Sequence, residues 1–106
     1  MLFPVGATMT RQRLPCVYIL ASGPRGTLYI GVTSDLIMRV HQHKNDLADG
    51  FTKRHCIHDL VWYEVHGEME SAIRSEKALK AWKRIWKIEL IESMNPEWRD
   101  LYPDIL

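Results

Sequence analysis

The stretch "CVYILASGPRGTLYIGV", residues 16–32, decides the fold of this 106-residue chain. Its two ends, residues 16–20 and 27–32, are rich in β-branched and aromatic residues, which favour strands. The residues between them, "ASGPRG", carry the glycine and proline signals of a hairpin loop. The pattern therefore predicts two antiparallel strands. Because both faces of each strand are largely apolar, we expect the pair to lie within a covered sheet.

A helix is predicted directly after this hairpin, over residues 35–44. Helical spacing places Leu36, Arg39, Val40 and His43 on one face. Leu36 and Val40 can pack, but an arginine and a histidine are unusual on a face directed to the sheet. Structural roles exist for both, since an arginine stem can lie along the sheet with its head in water and a histidine suits a helix C-terminus.

The helix has two candidate caps at its start, Ser34 and Asp35. Beyond the helix, residues 45–59 read as a polar connection without regular structure. Such a connection is long for a loop in a compact domain, which favours a functional role. The third strand is predicted over residues 60–65, "LVWYEV".

Two further helices are predicted in the C-terminal half. Residues 69–82 lack proline and glycine and carry apolar residues along one face, which Trp82 and Trp86 extend. After a turn or bend, a helix over residues 87–94 ends at the "NP" of residues 95–96. The element order is β-β-α-β-α-α, which predicts an α+β domain with helices flanking a small three-stranded antiparallel sheet.

Charge is segregated along the chain, although the formal net charge of +1 says little about partners. Residues 74–87 contain six basic residues and one acid. On charge alone, this basic stripe is as consistent with a solvated helix face as with docking of nucleic acid. Its basic members are Arg74, Lys77, Lys80, Lys83, Arg84 and Lys87.

Glu76 lies at the border between the apolar and basic arcs of the predicted helix, and we expect the whole basic stripe to share that helix. The simplest role for Glu76 is an ion pair with Lys80 at i,i+4. Tyr18 and Tyr29 are likewise suited to a core.

These side chains taken together, with the arginine and histidine of the first helix, suit phosphodiester chemistry if they converge on one side of the sheet. A basic group can activate the nucleophile, a guanidinium matches phosphate oxygens, and a carboxylate can hold one hydrated magnesium ion.

The triplets "VYI" and "YIG" in the two hairpin strands resemble the paired signature of the GIY-YIG nuclease superfamily, with Val17 in place of the first glycine. Arg39 and His43 resemble the arginine and histidine of its first helix. Glu76 resembles its metal-binding glutamate, and Asn95 resembles an asparagine near the end of the domain. The likeness is closest to small stand-alone bacterial members, in which "GFT", "WYE" and "NPEW" also occur.

This resemblance covers residues 14–102, which we expect to form the nuclease domain. Residues 1–13 are expected to be a flexible N-terminal arm, because the opening stretch of residues 1–15 has two prolines and one glycine, which disfavour regular structure, and residues 103–106 a C-terminal tail. The sequence shows neither a secretory signal nor an apolar run of membrane-spanning length, so we expect a cytoplasmic protein without membrane association.

The resemblance implies metal-dependent endonuclease cleavage of nucleic acid, with DNA favoured over RNA. In that interpretation Tyr18 is the general base or orients the attacking water, and His43 or Tyr29 takes up its proton. Arg39 stabilises the pentavalent phosphate. Glu76 is the protein ligand to Mg²⁺, which Mn²⁺ could replace, and Asn95 belongs to the catalytic group.

Substrate docking is assigned to the basic stripe, helped by Lys53 and Arg54 of the polar connection. Larger relatives gain target specificity from added domains, which we do not expect here, so a protein partner that supplies specificity is a second expectation. The alternative function is a nucleic-acid-binding module with weak or no cleavage, acting as a subunit of a repair or processing complex. Because all the residues of the catalytic pattern are present, catalysis is favoured.

Overall fold

A computed structural model describes residues 13–48 and 50–106, and within them one antiparallel sheet contains three strands. These are β1 (Cys16–Ala21), β2 (Leu28–Thr33) and β3 (Asp59–Val65). The strand order is β2-β1-β3, so β1 is central, and all six of its residues are buried. The predicted α+β class, hairpin and third strand are therefore confirmed.

Five helices accompany the sheet in the same residues: α1 (Leu36–Lys44), α2 (Gly50–Arg54), α3 (Met69–Ala81), α4 (Arg84–Met94) and α5 (Tyr102–Ile105). The predicted helices correspond to α1, α3 and α4. No helix in this part of the chain has the length and apolar character needed to cross a membrane. The expected N-terminal arm lies outside the described residues except for Arg13.

Two of these helices are absent from the predicted element order. Helix α2 lies inside the connection predicted over residues 45–59, and α5 lies at the predicted C-terminal tail. Both have five residues or fewer, which is too short for an apolar repeat to appear in the sequence. Tyr102 and Ile105 of α5 pack against the core, and the N–H of Leu101 donates to the carbonyl of Leu60 at 2.8 Å. The C-terminal residues are therefore part of the packed domain.

Asp35 is the N-cap of α1, one of the two caps that the sequence offers. Its carboxylate accepts from the N–H of Met38 at 3.3 Å, and its own N–H donates to Oγ1 of Thr33 at 3.0 Å. The cap fixes the direction in which α1 leaves β2. Helix α1 therefore packs over the sheet, with Leu36 and Val40 buried as predicted.

The central strand supplies two separate cores, because its side chains alternate between the two faces of the sheet. Val17, Ile19 and Ala21 pack with residues of α3 and α4 in the first core. Tyr18 and Leu20 point to the opposite face, where they pack with residues of α1 in the second core. Both faces of the sheet are therefore covered, which is why the hairpin sequence is apolar on both sides.

Trp82 and Trp86 do not extend the core, contrary to the periodicity. Their side chains are 37% and 47% exposed, and their rings meet edge to face with centroids 6.3 Å apart. The cause is a break in the helix: Trp82 and Lys83 adopt extended backbone, with ψ of 153° and 149°. The break lets Ile88 and Ile91 of α4 reach the same core as α3, so tertiary packing overrides the local helical preference. It also divides the basic stripe between two helices, which corrects the expectation of a single one.

Gly31 is the point at which the hairpin is most tightly constrained. It is the cross-strand partner of Tyr18, and a Cβ built on it would lie 2.5 Å from the Tyr18 hydroxyl oxygen and 2.6 Å from Cζ. The aromatic ring thus lies directly over the glycine. A side chain at residue 31 would occupy the same space as the Tyr18 phenol.

We predict that Gly31→Ala lowers the free energy of unfolding by about 1–3 kcal/mol, the usual cost of overpacking, because the buried Tyr18 ring must move. Urea denaturation of the two proteins measures the difference. Gly67→Ala is the matched control, since nothing lies within 4 Å of a Cβ at Gly67. Equal stability of the Gly31→Ala and Gly67→Ala variants would contradict this packing.

Candidate active site

Three aromatic side chains on separate elements, each singled out from the sequence, lie together on the α1 side of the sheet. The ring centroids of Tyr18 and Tyr29 are 6.3 Å apart, and His43 lies 5.9 Å from the first and 5.2 Å from the second. Strand pairing of Tyr18 with Gly31 and of Leu20 with Tyr29 puts the two tyrosines on one face as diagonal neighbours. We call Tyr18, Tyr29 and His43 the ring cluster.

His43 is held through both of its ring nitrogens. Nε2 lies 3.0 Å from the Tyr18 hydroxyl, and Nδ1 lies 3.1 Å from Oγ1 of Thr52. All three side chains are fully buried. An imidazole at this depth keeps the orientation that these two hydrogen bonds give it.

Thr52 is the member of this group that sequence reasoning missed. It lies on α2, the helix that the sequence pattern does not reveal. Its side chain contacts His43, which lies in the last turn of α1. The signals that point to it are the unusual length of the connection and the "GFT" string at residues 50–52. Neither indicates a hydrogen bond to a particular histidine.

Arg39 lies one turn before His43 and is half-buried. Hydrogen bonding to Tyr18 raises the pKa of Arg39 above its ordinary value, Tyr29 adds to this effect, and partial desolvation opposes it. Its Nη1 also donates to Oε1 of Gln42 at 3.1 Å. A permanent positive charge therefore lies beside the phenol oxygens, where it favours negative charge on them or on a bound anion.

The ring cluster opens toward solvent on the side of Tyr29 and Arg39, which are half-buried, whereas Tyr18 and His43 are fully buried. Phe51 extends this side: its ring lies 6.4 Å from Tyr29 and is 37% exposed. A ligand would thus meet Arg39 and Tyr29 before it reached Tyr18. This accessible edge is the candidate active site.

Glu76 lies on α3, which contacts β1 and β2. Its carboxylate is 2.6 Å from the ammonium of Lys80 at i,i+4, and its side chain is 13% exposed. The neighbours of Glu76 along the helix face, Ala72 and Leu79, belong to the first core, on the opposite face of the sheet from Tyr18. The structure therefore brings four of the expected catalytic residues together and gives Glu76 a different immediate environment.

A magnesium site at Glu76 would have this one carboxylate as its protein ligand. Among residues 13–48 and 50–106, no group of three or more His, Cys, Asp or Glu side chains could hold a metal ion. Cys16 and Cys56 are free thiols. Mg²⁺ commonly keeps several waters and takes one or two carboxylates together with substrate phosphates. Glu76 fits that habit as a lone ligand, provided that the ion displaces Lys80.

Asn95 is buried at the C-cap of α4, and its hydrogen bonds lie at the C-terminal end of the domain. Nδ2 donates to the carbonyls of Val61 and Arg99 at 3.2 and 2.7 Å, while Oδ1 accepts from the N–H of Arg99 at 3.1 Å. These contacts tie the segment after α4 to β3. They are the contacts of a structural asparagine, and its expected membership of the catalytic group stays a prediction.

The basic residues do not form one uniform surface. Arg74 and Lys77 are exposed on α3, whereas Lys80 is paired with Glu76. Arg84 is engaged by the β1–β2 loop, because its Nη2 donates to the carbonyls of Arg25 and Gly26.

Other cations are placed differently again. Lys83 lies over the ring of Trp86, 5.4 Å from its centroid, and Lys87 lines a cavity of about 600 Å³ beside the β1–β2 loop. Lys53 and Arg54 are exposed and follow Thr52 directly on α2. These two predicted docking residues therefore share a helix with the side chain that contacts His43 of the ring cluster.

Comparison with known proteins identifies one family and two relatives. The family model of the GIY-YIG catalytic domain matches residues 14–89. Two relatives, UPF0213 proteins from two strains of Staphylococcus epidermidis, are each 30% identical to this chain over 76 residues, which is 72% of this chain and 92% of the relative. No solved structure matches significantly.

Asn95→Ala separates a structural role from a catalytic one. We predict that it lowers the free energy of unfolding by about 1–3 kcal/mol, because the carbonyls of Val61 and Arg99 lose a buried donor. Chemical denaturation measures this loss. Under the expected nuclease function, cleavage measured well below the unfolding midpoint should then stay near the wild-type rate, whereas a large fall in rate with an intact fold would support a catalytic role for Asn95.

Proposed function

This chain belongs to the GIY-YIG catalytic domain family, and from that premise we propose that it is a metal-dependent endonuclease that hydrolyses phosphodiester bonds in nucleic acid. The observation that carries the proposal is the buried hydrogen bond between Tyr18 and His43, with the Arg39 guanidinium beside it. A phenol, an imidazole and a fixed cation in contact are the groups needed to take a proton from water and to receive a phosphate. DNA is the first substrate to test.

Tyr18 is the general base of the proposed reaction. A phenol with an ordinary pKa of about 10 is a poor base near neutral pH, so it needs a group that removes its hydrogen. Nε2 of His43, at 3.0 Å, accepts that hydrogen while the Tyr18 oxygen accepts the proton of the attacking water. One proton moves onto Tyr18 as another leaves it, so the phenol ends the step as it began.

Arg39 binds the scissile phosphate. Its guanidinium remains charged at any working pH, and its planar set of donors matches two phosphate oxygens at once. Negative charge on those oxygens grows as the water attacks, so the interaction is stronger in the transition state than in the ground state. Tyr29, 5.2 Å from the His43 ring, packs beside it at the accessible edge.

Glu76 would hold the metal ion, Mg²⁺ or Mn²⁺, with water and the substrate phosphate completing the coordination. When bound, such an ion supplies Lewis-acid stabilisation of charge on the phosphate oxygens. Lys80 is the exposed partner of the competing pair, with 56% of its side chain accessible, so its ammonium can turn to solvent when an ion takes its place beside Glu76.

The second candidate function is a nucleic-acid-binding module with weak or no cleavage, acting within a larger complex. One observation favours it: Glu76 is paired with Lys80 and lies on the helix that covers the face of the sheet opposite Tyr18. A partner protein that supplies specificity would fit either function, because contacts to phosphates carry no base information.

Glu76→Gln distinguishes these two functions. If Glu76 is the metal ligand, the variant loses its charge at nearly constant shape, so magnesium-dependent cleavage of a labelled plasmid should fall to background. Binding to the same DNA in the presence of chelator should not change. Glu70→Gln, an exposed acid in the first turn of the same helix, is the matched control. Cleavage by Glu76→Gln at the wild-type rate would exclude the metal role.

Salt dependence identifies the docking surface. Each phosphate contact contributes about −0.9 on duplex, or −0.7 on single strands, to the slope of log K against log salt. We predict that Lys77→Gln with Lys83→Gln flattens this slope by roughly two contacts and weakens binding equally across unrelated sequences. Lys53→Gln with Arg54→Gln is the competing variant. A slope changed only in the latter would move the docking surface from the basic stripe to α2.

A further inference from the structure

His43 can serve as a proton acceptor for Tyr18 only in one of its two neutral forms. A neutral imidazole has one N–H donor and one bare nitrogen, and the hydrogen bond made by one nitrogen selects the state of the other. For the proposed reaction Nε2 must be bare, so the hydrogen has to lie on Nδ1. The residue that contacts Nδ1 must therefore accept a hydrogen bond from it, which a threonine hydroxyl oxygen can do.

The neighbours of Tyr18 indicate which form is present. The Arg39 guanidinium, which lies beside the Tyr18 hydroxyl, has N–H donors and no acceptor, so toward Arg39 the phenol oxygen can only accept. The phenol hydrogen is then available to Nε2 of His43, 3.0 Å away. With Nε2 accepting, Nδ1 carries the hydrogen and donates to Oγ1 of Thr52 at 3.1 Å.

Thr52 is fixed where this donation requires it. Its side chain is fully buried, and its carbonyl accepts from the N–H of Ile57 at 2.9 Å. Ile57 belongs to the second core, with Tyr18 and Val40. Helix α2 is thereby anchored to the same core as α1, and the threonine hydroxyl is held against His43 rather than presented to water.

We propose that Thr52 is a positioning residue, which holds His43 in its Nδ1–H form and fixes the direction of the ring so that Nε2 accepts from Tyr18. Its effect on cleavage rests on the proposed nuclease function. Its effect on the imidazole does not, because the tautomer is a property of the protein without substrate.

Thr52→Val tests the proposal, because valine keeps the shape of threonine and removes its hydroxyl. We expect kcat to fall by about 10- to 100-fold, the range known for residues that orient metal-bound histidines, with little change in KM. Nitrogen-15 NMR of the free protein should show the wild-type His43 in the Nδ1–H form and a mixture of forms in the variant. The His43 signals are assigned by their loss in His43→Gln.

Two further variants keep the test decisive. Thr52→Ser retains the hydroxyl and should recover most of the lost rate and the Nδ1–H form, which a purely packing role would not produce. Thr27→Val, at an exposed threonine, should change neither. A wild-type spectrum with the hydrogen on Nε2, or unchanged spectrum and rate in Thr52→Val, would overturn the proposal.

Failure of the nuclease function is recognised separately. Wild-type protein that cleaves no substrate with magnesium or manganese would refute the proposed function, and the NMR comparison would still decide the role of Thr52. If Thr52→Val does not fold, the wild-type spectrum and Thr52→Ser decide it.

Discussion

The buried hydrogen bond between Tyr18 and His43 sets the geometry of one whole face of the sheet. For the phenol to meet the imidazole, its ring must lie flat over β2, and that requires a glycine at residue 31. For the imidazole to be reached, α1 must leave β2 in one direction, which the Asp35 cap fixes. One contact between the central strand and the first helix thus requires the hairpin, the glycine and the cap together.

This contact is also costly to build, which explains how the surrounding polar groups are arranged. An unsatisfied buried donor or acceptor costs about 1–3 kcal/mol, so a buried imidazole needs partners on both nitrogens. Within the part of the chain that the structure describes, no buried side-chain nitrogen or oxygen lacks a hydrogen-bond partner. Thr52 satisfies the second nitrogen of His43, and it is the buried residue of α2. The demands of burial and of orientation are met by the same hydroxyl.

Sequence reasoning succeeded where the determining signal is local. Alternation and hairpin residues predict β1 and β2, and helical spacing alone puts Arg39 and His43 on the face of α1 that meets the tyrosines. It failed where long-range packing decides. Thr52 lies in a five-residue helix with no periodicity, and the break after Ala81 contains neither proline nor glycine, so nothing nearby in sequence predicts that Trp82 becomes exposed.

The same distinction applies to Glu76. Its position on α3 follows from the helical period, but its position relative to the ring cluster depends on how α3 crosses the sheet, which no local pattern encodes. Helix α3 contacts β1 and β2, and β2 is an edge strand of the sheet. At the edge of a sheet a ligand can approach residues of both faces, whereas the central strand β1 is covered on both sides. In the proposed nuclease, a phosphate that lies along the β2 edge, beside the half-buried Tyr29, can approach both Arg39 and the ligand sphere of Glu76.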